Sequence, residues 1–188
     1  MIIPITTLWL PILVGGVLVF VVSSIIHMFL PYHRNDWWKV PGEDAVMDAL
    51  RPFDIPPGDY MIPHGDGPEA MKSEEFRQKV EKGPTAVMTV FAPGAMFGMA
   101  SQMIQWFAYI LLVGIVSAYL GGRMLVPGTD YIVVFRLTGT VAFASYSMGL
   151  MQRSIWYNQR WSTTLKSMLD GLLYATLVGG VFGWLWPA

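Results

Sequence analysis

Apolar residues in this chain do not alternate with polar ones; they come in long blocks. Four stretches carry no Asp, Glu, Lys or Arg at all: residues 1–33, 83–122, 137–152 and 171–188. A hydrocarbon core of about 30 Å is crossed by roughly 20 apolar residues rising about 1.5 Å each. The blocks therefore predict four transmembrane helices, near residues 8–30, 95–121, 131–152 and 162–186. Pro31 ends the first, Trp9 marks one of its membrane interfaces, and Tyr32, Trp37 and Trp38 mark the other. Pro93 and Gly94 split the second block unevenly, and the piece before them is too short to cross as a helix.

The polar segment between the first two spans, residues 31–93, has a pattern of its own. Acids of its first turn and Arg51 at its end predict a short helix over 43–51, and Ser73-Glu74-Glu75 opens a second that Gly83-Pro84 closes. The β-branched run 85–91 predicts a strand, with 59–62 as its pairing partner. Sixty-odd residues with few large apolar side chains do not make a stable core alone. The fold class expected is thus an all-α integral membrane protein: a four-transmembrane-helix bundle with a small α+β cytoplasmic loop cap between helices 1 and 2, all within a single membrane domain of 188 residues.

Composition sharpens this. With 54% hydrophobic and 13% charged residues, a soluble domain is a poor fit. A formal charge of −1 gives no basic footprint, so nucleic acid is not an expected partner. Zero cysteines exclude disulfides, thiolate metal sites and a cysteine nucleophile. No Lys or Arg precedes the first apolar run, which is longer than a signal peptide's, so the first helix is expected to stay in the mature protein. Lys and Arg near span ends are retained in the cytoplasm. Arg34, Lys39, Arg153, Arg160 and Lys166 share one side, which predicts periplasmic termini in a bacterial inner membrane.

Small residues recur every four positions, at Gly171, Ala175, Gly179 and Gly183 and at Gly114, Ala118 and Gly122, with Ser145 and Gly149 on the third helix. Such faces let helices approach closely in lipid. Packing within the chain is the expected use, and a homo-oligomer or another membrane subunit the alternative. The bilayer itself is a partner, and the Arg/aromatic run 153–161 suits anchoring among phosphate headgroups.

Chemistry centres on His27, His33, Asp36, His64 and Asp66, which hold all three histidines. Imidazole and carboxylate together suit a Zn, Fe, Mn or Cu ion, given three or four groups that converge. Met96, Met99 and Met103, spaced as on one helix face, are a weaker Cu(I) candidate. Within spans, Asp170 is expected to pair with Lys166 at i−4, and Arg136 with nearby Asp130. No phosphate-binding loop, nucleophile elbow or dinucleotide fingerprint is present. The expected function is an accessory, assembly or interaction subunit without catalysis of its own. The alternative is a metal-binding membrane protein or metalloenzyme with its His/Asp site at the cytoplasmic interface.

Overall fold

A computed structural model describes residues 3–188. In chain order the elements are α1 (Trp9–Phe29), α2 (Glu43–Leu50), β1 (Gly58–Ile62), α3 (Pro68–Lys72), α4 (Glu74–Lys82), β2 (Ala86–Val90), α5 (Ala100–Met124), α6 (Tyr131–Ser147), α7 (Met151–Tyr157) and α8 (Trp161–Trp184). The chain divides into two compact units, Met1–Trp37 with Ala100–Ala188, and Trp38–Met99.

The first unit holds four helices long and apolar enough to cross a membrane: Ile5–Phe29, Ala100–Met124, Tyr131–Tyr157 and Trp161–Trp184. This agrees with an all-α bundle and an integral membrane protein. The third is α6 and α7 joined by a 3-10 turn at Met148–Leu150. The second begins at Ala100 rather than near residue 95. Gly94 takes a left-handed φ of +79°, and turns close from Ala95 N–H to Ala92 O and from Phe97 N–H to Gly94 O, so the chain is not yet helical there. Met96 and Met99 consequently lie before α5, and the helical methionine face expected of them does not form.

Small residues set the helix spacing. A Cβ on Gly179 would lie 2.8 Å from Phe135 O and 3.2 Å from Gly139 Cα, and one on Gly183 would strike the Tyr131 ring. Gly171 abuts Tyr146 and Ser147, so the four-spaced face of α8 is the α6–α8 seam. Gly114 and Gly122 of α5 meet Ile12 and Ile3 in the same way, while Gly15 and Gly16 place α1 between α8 and α5. On α6 the seam uses Gly139 rather than the expected Ser145 and Gly149: Ser145 is exposed, and Gly149 faces open space. Leu8, Val19, Ile110, Val134, Val178 and Phe182 fill the core between these backbones.

The ends of the bundle are tied separately. At one, Ile3 N–H donates to Gly122 O and Gly128 N–H to Pro187 O, both at 2.9 Å. At the other, Arg160 donates to Asn35 O and Lys166 to Tyr32 O, each at 2.5 Å. Segments after α1 and before α8 therefore share an end, as an even number of crossings requires.

In the second unit, β1 and β2 pair antiparallel with Tyr60 opposite Met88, where the sequence pattern places them. Ser73 caps α4 by accepting from Phe76 N–H at 3.2 Å.

Because Phe135 O is backbone and has nowhere to go, Gly179→Ala is expected to destabilise the bundle by about 1–3 kcal/mol, the usual range for overpacking. Gly149→Ala, which meets nothing within 4 Å, is expected to leave stability unchanged. Thermal unfolding of both variants in detergent checks the contrast.

Candidate metal centre

Pro31 shapes the site. The residue before a proline is pushed out of the helical region, and Leu30 is extended at φ −84°, ψ 137°. A 3-10 turn at Pro31–His33 follows, closed by Arg34 N–H to Pro31 O and continued by Asp36 N–H to His33 O, both 3.0 Å. This reversal brings His33 back over the last turn of α1. Its ring stacks on that of His27 with centroids 4.7 Å apart and planes within 10°.

From α8, Asp170 faces this pair and is only 2% exposed. Tyr32 OH donates to its Oδ1, and His33 Nε2 lies 2.8 Å from its Oδ2. On the other edge of the ring, His33 Nδ1 is 2.6 Å from Asp36 Oδ2. Lys166 donates to Asp36 Oδ1 at 2.8 Å, and Arg160 donates to the Asp36 carbonyl at 2.8 Å. His27 Nδ1 sits 3.0 Å from Ser23 O. A carbonyl can only accept, so Nδ1 carries the hydrogen and Nε2 keeps its lone pair. Ser23 is held in turn by Trp106 Nε1–H, which donates to its Oγ at 2.9 Å.

One ligand atom from each of His27, His33 and Asp170 lies within 4.8 Å of the others. Each histidine has its remaining nitrogen on an oxygen acceptor, Ser23 O for one and Asp36 for the other. Outer partners of this kind orient histidine ligands in metal sites. Burial pushes the Asp36 carboxyl up, but hydrogen bonds from Lys166 and His33 outweigh it and hold the group below its ordinary 3.8. Asp36 with Lys166 and Arg160 thus forms a charged cluster behind His33.

Of the residues singled out in the sequence, His27 and His33 converge. Asp36 joins them from behind, on the far nitrogen of His33. His64 and Asp66 belong to the second unit, where their exposed side chains stand 3.4 Å apart. Asp170 enters as the third member. Its expected partner Lys166 reaches instead to Asp36 and to Tyr32 O, because the Pro31 turn delivers both to the start of α8. The signal that marks Asp170 is its type and place: an acid inside a span, for which a functional role is the default reading. One turn further along α8, Tyr174 packs on Tyr146 with centroids 5.6 Å apart, and both hydroxyls are buried without a hydrogen-bond partner among the described residues.

No family model, curated protein or solved structure matches this chain.

Asp36 also makes a pH prediction. A depressed carboxyl contributes stability that is fully present above its ordinary value of 3.8 and is lost as pH falls through the lower folded value. Lys166→Met removes the ammonium and leaves the burial, so the folded carboxyl rises towards or past its unfolded value and the loss of stability on acidification is expected to shrink. The variant is expected to be less stable than the wild type at neutral pH and to converge on it as pH falls. Thermal midpoints recorded across the acid range decide it, and superimposable acid limbs would contradict the assignment.

Proposed function

We propose that this is an integral membrane metalloprotein whose centre is His27 Nε2, His33 Nε2 and the Asp170 carboxylate, taking a divalent transition ion such as Zn²⁺ or Fe²⁺. The observation that carries the reading is the gathering of three ligand atoms within 4.8 Å while the second nitrogen of each histidine is already engaged. Because the two rings stack with planes within 10°, binding of one ion would turn one of them out of the stack. Two imidazoles and a carboxylate suit both ions, and three protein ligands leave coordination positions open, the pattern of catalytic rather than structural sites. An ion so held would act as a Lewis acid or generate a nucleophilic water. Asp36, steadied by Lys166 and Arg160, sets the tautomer and tilt of His33.

The surroundings of the centre follow from the same reading. Arg34, Arg153, Arg160 and Lys166 lie at or near this end of the bundle, which supports a cytoplasmic site, periplasmic termini and a cytoplasmic second unit in a bacterial inner membrane. An accessory subunit remains the second reading. Its specific support is the exposed apolar set of the second unit, Phe53, Phe91 and Phe97, although the small-residue faces of α5 and α8 that also suggested partners are spent on packing inside the chain.

Zinc loading of the detergent-purified protein, followed by desalting and elemental analysis, is the test. The wild type and His64→Ala are expected to retain near-stoichiometric zinc, and His27→Ala and Asp170→Asn to lose it. His27→Ala touches neither the Tyr32 nor the His33 bond to Asp170, so its thermal midpoint, recorded alongside, is expected to hold while the metal is lost. Equal retention in the His27 variant, or none in the wild type, would sink the proposal.

A further inference from the structure

A second site stands apart from the metal centre and does not depend on it. Arg136 lies on α6, five residues after Tyr131, inside a helix long enough to span a membrane. The expected pairing with Asp130 does not form: the Arg136 side chain makes no hydrogen bond or ion pair among the described residues. Charges in spans are costly and normally paired. This one is exposed on the surface of the bundle.

Beside it runs a groove of about 250 Å³ between α6 and α8, lined by Phe135, Gly139, Phe143, Leu172 and Ala175 with Arg136 at one end. The groove is a consequence of the small-residue seam. A Cβ on Gly139 would be 3.3 Å from Ala175 O. The backbones are therefore close together, but nothing larger than the Ala175 methyl rises from Gly139 or Ala175 to fill the furrow above them. Its walls are apolar and hold no acid.

Shape and charge are ordered as in an amphiphile. The cation sits toward the start of α6, and the furrow continues two turns inward to Phe143. A helical arginine leans toward the N-terminus of its helix, which carries the guanidinium further toward the headgroup region. Guanidinium offers paired donors that match a phosphate. We propose that this groove binds an anionic phospholipid from the bilayer, with an acyl chain along Gly139 and Phe143 and the phosphodiester on Arg136.

Native mass spectrometry of the full chain in mild detergent, titrated with dioleoyl phosphatidylglycerol or dioleoyl phosphatidylcholine, tests it. Both lipids offer the same phosphodiester oxygens, but in phosphatidylcholine they are neutralised by its own ammonium. The wild type is therefore expected to favour the anionic lipid by about tenfold, the difference between a hydrogen bond to a charged group and one to a neutral group. Arg136→Gln is expected to abolish the preference and Arg136→Lys to keep part of it. Thr140→Trp, at an exposed position lining the groove, is expected to block the chain and remove the adduct while the thermal midpoint holds. Equal binding of both lipids, or an unchanged adduct in Arg136→Gln, would overturn the site. So would an adduct that survives Thr140→Trp, since Arg136 would then be meeting headgroups without the groove. Inorganic phosphate or free oleate that displaces the adduct at the same concentration as the phospholipid would overturn the phospholipid as the occupant.

Discussion

One buried carboxylate governs this end of the molecule. Asp170 is buried on α8 with 2% exposure, where a charge left alone is strongly unfavourable; removing one partner of a buried pair typically costs about 3–5 kcal/mol. Its partners do not come from α8. They come from the chain that leaves α1, which must turn back at Pro31 for Tyr32 and His33 to reach it. Once that turn is made, Asp36 falls behind His33, and Lys166 and Arg160 close over the segment from the start of α8. The carboxylate thereby ties the end of α1 to α8 more firmly than side-chain packing in lipid would, because lipid tails are as apolar as the side chains they compete with.

Precision at the site comes from the bundle behind it. Gly171, the residue after Asp170, abuts Tyr146 and Ser147, so α8 is pressed against α6 at that level and Asp170 cannot swing out. His27 is fixed from the other side, through Ser23 and the Trp106 indole on α5. All four long helices thus take part in positioning the His27, His33 and Asp170 side chains. Groups on rigid helices with engaged outer partners hold their geometry far better than groups on loops. The same close α6–α8 approach opens the furrow beside Arg136, so one packing decision serves both ends of the bundle.

The spans were legible because bilayer thickness and charge exclusion act locally: an uncharged block of sufficient length has few alternatives, and α1, α6 and α8 begin within a residue of where the blocks predict. The start of α5 was not, since hydrophobicity continues through residues 95–99 while Gly94 and the turns around it forbid helix. His27 and His33 could be joined from sequence because one proline separates them. Asp170 could not be, since its contact with His33 spans 137 positions and no local pattern encodes it. Spacing suggested Lys166 as its partner, but an i−4 neighbour is only one option for a long side chain, and two better acceptors, Asp36 Oδ1 and Tyr32 O, arrive from elsewhere. His64 and Asp66 lie in the second unit, outside the cluster that the first unit forms by itself.

The central claim is that His27, His33 and Asp170 form one coordination sphere. X-ray absorption at the zinc edge of the zinc-loaded protein addresses it directly. The account predicts a first shell of nitrogen and oxygen at about 2.0–2.2 Å, with the multiple-scattering signature of two imidazoles, falling to one imidazole in His27→Ala. A wild-type shell of oxygen alone, or one whose imidazole count is unchanged in that variant, would contradict it.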